Sequence, residues 1–293
     1  MDDSTLLFGA TSILGFELAR QFATSMVPFI TRANRAPSIS GWPTLHLEDP
    51  HWPATVFATY RPQLLLYCHA VCDVPKCEAQ PDWALEVNVG YLKRVIAALP
   101  NHTRLVYVSS DHVFGGDGIY DEASTPCPIS VYGRSRVVAE ELVRDRPDSL
   151  IIRVGLPIGP SPTGRTGHWD WLRYRTQQKL PVTIVHDEYR SVVWASDLAA
   201  RVMALAESME TGTRHITATR ALSRVEVADH LLTLLGEPAG YARQGRHQRT
   251  SPHLGHVELA TRYHGQLFQP LASILDGPDF QDLNNVEVIR RSC

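Results

Sequence analysis

The sequence lacks the cysteine pattern of a disulfide framework or a zinc knuckle. Its five cysteines, Cys68, Cys72, Cys77, Cys127 and Cys293, are odd in number and form no CxxC pair. In a chain of 293 residues this reads as reduced thiols. His69, Cys72 and Cys77 lie close together, but their spacing fits no zinc pattern, so no metal is expected. No apolar run reaches the length of a membrane span. An excess of positive charge is also missing: 28 Lys and Arg stand against 31 Asp and Glu, for a net charge of −3. That removes the electrostatic case for nucleic acid or an anionic membrane as partner. The start, "MDDSTLLFGATS", is acidic where a signal peptide is basic. With reduced thiols, a cytoplasmic protein is the expectation. There is no internal repeat or low-complexity tract. Hydrophobic residues make up 44%, enough for the core of one large domain or two fused ones.

What is present is alternation of strand and helix. "TLLFG" (5–9) is an apolar run ending in glycine, and "ILGFELARQFA" (13–23) follows with helical spacing. "VPFIT" (27–31) and "QLLLYC" (63–68) read as strands, and "WALEVNVGYLKRVIAAL" (83–99) as one amphipathic helix. "RLVYVSS" (104–110) is a strand, 131–145 a helix and "SLIIRVG" (149–155) a strand. Repeated units of this kind predict an α/β fold with a doubly wound, Rossmann-type parallel sheet. Beyond 155 the pattern loosens. "LPIGPSPTGRTG" (156–167) reads as loop, then a helix near 168–178, a strand at 181–185, and helices near 196–208 and 223–235. The polar stretch 240–256 reads as an ordered surface loop or flap, with disorder as the alternative. We assign 1–155 to dinucleotide binding, with 181–218 contributing in part, and 156–293 mainly to a smaller C-terminal α/β substrate lobe.

Three stretches could carry chemistry. In "LLFGATSILGFELA", Gly9 permits a sharp turn, Gly15 lets the helix pack closely, and the helix N-terminus offers N–H groups to a pyrophosphate. Ser12 stands where a middle glycine is usual; it either donates to phosphate or only caps the helix. After the second strand, "ITRANRA" carries Arg32 and Arg35 and no acid. Arginine there suits a 2′-phosphate, so NADP(H) is favoured over NAD(H); a solvated basic turn is the plain alternative. Finally, Ser110 ends a strand at the edge where such sheets bind ligands, and Tyr132 and Arg136 share a helical face. Serine to hold a carbonyl, tyrosine to donate a proton and a cation to lower the phenol's pKa make a reduction site. By spacing alone, an exposed Tyr and a surface Arg would be the better reading.

With "CHAVCDVPKCEAQPDWALEVNV", "VYVSSDHVFGGDGIYDEASTPCPISVYGRS", "LIIRVGLPIG" and "DEYRSVVWASDLA" in order, the chain resembles an extended short-chain dehydrogenase/reductase of the dTDP-4-dehydrorhamnose reductase group over most of residues 5–205. The resemblance implies hydride transfer from a nicotinamide to a ketone of a nucleotide-linked sugar, and dimers through helices. It places Ser110 and Tyr132 on the catalytic positions and Arg136 where lysine is usual. Gly9, Thr11, Ser12, Ile13, Leu14 and Gly15 fall on the pyrophosphate loop. Cys68, His69 and Ala70 fall beside the ribose and nicotinamide, and Asn88 behind the cofactor. Val154 and Leu156 fall near the carboxamide, and Leu47 and Val108 are further cofactor positions. Val71, Asp111, His112, Trp169, Tyr189 and Arg190 fall on the substrate side.

Two alternatives stay open within that resemblance. His112 either acts as an auxiliary acid or only shapes the pocket. Trp169 and Trp171 either stack on a base or pack the lobe. Arginine at 136 keeps its proton and cannot relay one. If misplacement removes about two units of pKa tuning, the cost is about 2.7 kcal/mol, roughly a hundredfold in rate. The competing readings are a non-catalytic binding subunit, as in the related regulatory beta subunit of methionine adenosyltransferase, and an epimerase or dehydratase on the same scaffold.

Overall fold

The computed structural model describes residues 5–31, 39–164 and 166–280. The first part runs β1 (Thr5–Phe8), α1 (Ile13–Gln21), β2 (Met26–Thr31), β3 (Thr44–Leu45), α2 (Trp52–Tyr60) and β4 (Leu64–Tyr67). Then come α3 (Val74–Ala79), α4 (Pro81–Leu85), α5 (Tyr91–Ala98), β5 (Arg104–Ser110), β6 (Gly118–Tyr120), α6 (Val131–Arg144) and β7 (Leu150–Val154). The second part runs β8 (Leu156–Ile158), α7 (Gly167–Gln177), β9 (Thr183–Val185), β10 (Tyr189–Trp194), α8 (Ala195–Glu207) and β11 (Gly212–His215). It ends with β12 (Ala221–Ser223), α9 (Arg224–Leu235), β13 (Ala242–Gln244) and β14 (His256–Leu259).

The main sheet has the order β11-β7-β5-β4-β1-β2-β3, parallel throughout. Side chains alternate across it, as the pleat requires. Leu7, Leu66, Val106 and Ile152 face Leu14 and Leu18 of α1 and Leu198 and Val202 of α8. Phe8, Leu65, Tyr107 and Ile151 face Trp52 of α2, Leu92 of α5 and Val143 of α6. Both faces are covered, which explains the uninterrupted apolar strands. A second sheet joins β12, β10, β14 and β6, with β8 pairing the far half of β10. A short β13–β9 pair flanks it.

The structure corrects three sequence expectations. The helix expected over 83–99 is α4 and α5 joined by a π-helical turn, Glu86–Gly90. The segment 156–167, expected as loop, holds β8, an edge strand that tolerates Pro157 because proline's missing N–H is not needed there. The stretch 240–256 is not bare loop: it contains β13, a 3₁₀ turn at Arg246–Gln248 and the first residue of β14. The sheets also interleave along the chain. β6 lies before residue 155 yet pairs with β14, and β11 lies after it yet pairs with β7.

Candidate active site

The chain leaves β1 toward one edge of the main sheet and returns at β4 toward the other, so the crevice between their carboxyl ends is the switch point where such sheets take ligands. Gly9 turns there with φ of +87°, and a Cβ on it would lie 2.5 Å from the His69 backbone nitrogen. A Cβ on Gly15 would lie 2.2 Å from the Gly9 carbonyl oxygen. Glycine is needed at both, since each abuts backbone that has no room to yield. Ser12 caps α1: its Oγ accepts from the Gly15 N–H at 3.0 Å and donates to the Gly9 carbonyl at 2.9 Å. Its hydroxyl is engaged inside the loop. Leu14 joins the core, so only its backbone faces the turn, whereas Thr11 and Ile13 are half-buried at the rim.

Ser110 ends β5 and Tyr132 stands in the first turn of α6, and both are buried. Ser130 caps α6 by accepting from the Gly133 N–H at 3.0 Å, which fixes where Tyr132 starts the helix. Burial raises the Tyr132 pKa, opposed by the Arg136 charge and the Ser110 hydroxyl. Arg136, one turn on, is 2% exposed. Its Nη2 donates to the Val108 carbonyl, while Nε and Nη1 have no hydrogen-bond partner among the described residues. Glu140, the nearest carboxylate along the helix, is occupied by Arg153 at 2.6 Å and Ser109 at 2.5 Å. Burial alone would lower the Arg136 pKa, but Tyr107, Tyr132 and Glu140 outweigh it and raise the value, so the guanidinium stays charged. His112 meets the Tyr132 ring edge-on at 5.1 Å. Burial, and next the Arg190 charge, lower its pKa to about 4. It is neutral near pH 7, which favours the alternative of a ring that shapes the pocket.

The π turn puts Asn88, fully buried, between β4 and α6. Its Oδ1 accepts from the Val71 N–H at 2.8 Å, and its Nδ2 donates to the Val71 carbonyl at 3.1 Å and to Ser135 Oγ at 2.9 Å. Ser135 in turn donates to the Tyr132 carbonyl at 2.6 Å. Asn88 therefore ties the segment Cys68–Val71 to the helix that carries Tyr132, which gives the π turn a positioning use. Val71 is held by its backbone, and Cys68, His69 and Ala70 are half-buried at the switch point. Burial lowers the His69 pKa to about 4, and its Nε2 has no hydrogen-bond partner among the described residues.

The structure places the other expected site residues as follows. Asp111 is fully buried and pairs with Arg190 on β10, Oδ2 to Nε at 2.8 Å and Oδ1 to Nη2. The two, expected on the substrate side, staple the end of β5 to the second sheet, since two charges out of water hold only when matched. Tyr189 stands on the opposite side of the strand from Arg190 and stacks on His256 at 5.3 Å, not over the crevice. Trp169 is 0% exposed and packs in the core with Ile158, Leu172 and Leu231. Leu47 packs against the core under β1 and β4. Val154 and Leu156 are buried where β7 passes into β8. Arg32 and Arg35 lie outside the described residues.

Cys72 is exposed, and desolvation by the surrounding chain raises its thiol pKa. The structure also adds residues that the sequence did not single out. Burial and then Arg224 lower the pKa of His168, and Glu188, bonded to His253 at 2.8 Å, sits among Arg224 and Arg190. His168 directly precedes the stretch that drew attention for its tryptophans; nothing in local spacing distinguishes it. A separate cavity of about 470 Å³ lies beside Thr217, Glu258 and Tyr263, away from Ser110 and Tyr132. Among the described residues no group of His, Cys, Asp or Glu could hold a metal ion, and no helix is long and apolar enough to cross a membrane.

The residues fit a nicotinamide dinucleotide. The glycine turn brings backbone against the start of α1, whose free N–H groups suit a pyrophosphate, and Arg136 holds two buried, unpartnered N–H-bearing nitrogens that suit ribose hydroxyls.

The chain is similar to known proteins. The family described as RmlD substrate binding domain matches residues 3–256. The chain is 29% identical over 187 residues to a probable low-salt glycan biosynthesis reductase of Haloferax volcanii, a match covering 61% of this chain and 62% of that relative. It is 27% identical to a dTDP-4-keto-6-deoxy-D-glucose reductase of Streptomyces niveus, over 83% of this chain and 82% of the relative. It is also 26% identical to methionine adenosyltransferase 2 subunit beta of Danio rerio, over 87% and 84%. Among solved structures, a dTDP-4-dehydrorhamnose reductase of Bacillus anthracis in complex with NADP superposes with a TM-score of 0.78 at 21% identity, over 93% of this chain and 96% of that one.

Proposed function

We propose that this chain, which belongs to the RmlD substrate binding domain family, reduces a keto group on a nucleotide-linked sugar or related natural-product intermediate. It is an NAD(P)-dependent oxidoreductase of the short-chain dehydrogenase/reductase type. The observation that carries the reading is the meeting of Ser110 and Tyr132, with the charged, part-satisfied Arg136 guanidinium 6.0 Å from the Tyr132 ring. A nicotinamide dinucleotide bound along that turn supplies the hydride. Ser110 Oγ holds the substrate's carbonyl oxygen. Tyr132 gives that oxygen its phenolic proton as negative charge develops, and Arg136 stabilises the phenolate left behind. Because arginine does not release a proton, Tyr132 is reprotonated from the crevice and not through residue 136. NADPH over NADH rests on Arg32 and Arg35, in place of an acid after β2.

Tyr132→Phe tests this directly. It should lower turnover by a factor on the order of 10²–10⁴ while NADPH still binds; undiminished turnover refutes the reading. A non-catalytic dinucleotide-binding subunit is the second reading. Arginine at position 136 and the Danio rerio relative favour it, and the retained Ser110 and Tyr132 oppose it. NADPH binding with no ketone reduced across a sugar-nucleotide panel would decide for it.

A further inference from the structure

We propose that Tyr107 is the positioning residue that lets arginine serve at position 136, an inference that rests on the reductase reading above. A lysine ammonium is compact and can be held by point contacts. A guanidinium is a plane, and it must be oriented as well as placed. The Arg136 guanidinium carbon sits 4.6 Å from the centroid of the Tyr107 ring. The Tyr132 ring is farther, at 6.0 Å. The next residue of the same strand, Val108, gives its carbonyl to Nη2. One short piece of β5 thus provides both a face and a pin, and three residues beyond Tyr107 the same strand ends in Ser110.

Tyr107 is itself immobile. It is 0% exposed, packs at 5.9 Å from Tyr67, and lies in the core between β5 and α6. No carboxylate pairs with Arg136 among the described residues, because Glu140 is engaged by Arg153 and Ser109. With Glu140 acting on the arginine without pairing to it, the electron-rich ring face is the group in direct contact that opposes its charge in a desolvated place, where a cation–ring contact has its greatest effect. The seat leaves Nε and Nη1 unpartnered for the cofactor ribose and the Tyr132 phenolate. The Tyr107 hydroxyl has no partner either, so the ring and not the hydroxyl is what the position uses.

The test compares Tyr107→Phe, the conservative variant that keeps the ring, with Tyr107→Leu, which keeps an apolar side chain and removes the face. Two readouts are taken: NADPH affinity by fluorescence, and the pKa of Tyr132 by ultraviolet titration of the cofactor-free protein, with Tyr132→Phe subtracted. Tyr107→Leu should weaken NADPH binding roughly tenfold or more and move the Tyr132 ionisation to higher pH. Tyr107→Phe should restore both. If Tyr107→Leu lowers only thermal stability and leaves affinity and ionisation unchanged, Tyr107 is simple core and the proposal falls. Should Tyr107→Leu not fold, Tyr107→pentafluorophenylalanine keeps the shape and reverses the ring's charge distribution; the same two shifts support the proposal and their absence overturns it. If the unsubstituted protein binds no NADPH, the reductase reading fails, yet the cofactor-free titration still decides whether Tyr107 seats Arg136.

Discussion

Replacing Gly15 by alanine is the sharpest probe of the cofactor turn. The new methyl would sit 2.2 Å from the Gly9 carbonyl oxygen and 2.8 Å from Ser12 Oγ. A relaxed carbon–oxygen contact is about 3.3 Å, so the shortfall is roughly 1 Å. Ser12 could swing aside, but that gives up the α1 cap, at about 0.5–2 kcal/mol. The Gly9 carbonyl is less free, because it accepts the Ser12 N–H at 3.0 Å and the Ser12 hydroxyl at 2.9 Å. The helix start must therefore move away from the β1 turn. Stability should fall too: overpacking costs about 1–3 kcal/mol, the lost cap about 0.5–2 kcal/mol, and alanine's helix preference over glycine returns about 1 kcal/mol. Dinucleotide affinity of the protein that remains folded should fall as well, since displacing aligned donors by about 1 Å commonly costs on the order of a hundredfold, about 2.7 kcal/mol. Fluorescence titration with NADPH, beside a thermal melt, separates the two effects. Gly240→Ala is the control, because its methyl would meet nothing nearer than 3.9 Å. NADPH binding as tight as in the unsubstituted protein would refute the assignment of this turn to the pyrophosphate.

Further expectations follow from the charged groups. Asp111→Asn strands the buried Arg190 and should cost about 3–5 kcal/mol by denaturant unfolding, whereas joining Asp111→Leu with Arg190→Met should recover most of it; equal losses in both would show that the pair is not the staple described. Stability should also fall on mild acidification. His69 and His112 titrate at about 4 when folded, against about 6.5 unfolded, so the unfolded chain binds more protons between those values. The stability they contribute is present above pH ~6.5, is lost as pH falls toward 4, and is lower at pH 5 by about 2 kcal/mol for each ring. Melts of the cofactor-free protein at pH 7 and pH 5 check this, and His112→Phe should make the slope shallower; a flat profile contradicts it.

Much of the parallel sheet was legible because β5 and its neighbours are covered on both faces and so read as unbroken apolar runs. The π turn was not. One wider turn barely disturbs the apolar period across 83–99, and only the three bonds of Asn88 to Val71 and Ser135 reveal why it is there. β8 was hidden by Pro157 and by the glycines around it. Ser110, Tyr132 and Arg136 could be named because they lie in compact, recognisable segments. Asp111 and Arg190 could not be read as a pair, because two residues 79 apart leave no local signature. Tyr107 was invisible for a plainer reason: strand alternation makes it look like any core aromatic, and only the stacked guanidinium marks it out.

The interleaving of the two sheets bears on how such a protein can diversify. A cut after residue 155 would strip β11 and α8 from the main sheet and leave β6 without β14. The segment after residue 155 is therefore not a portable cassette that recombination could exchange whole: each sheet would lose a strand's partner to the other piece.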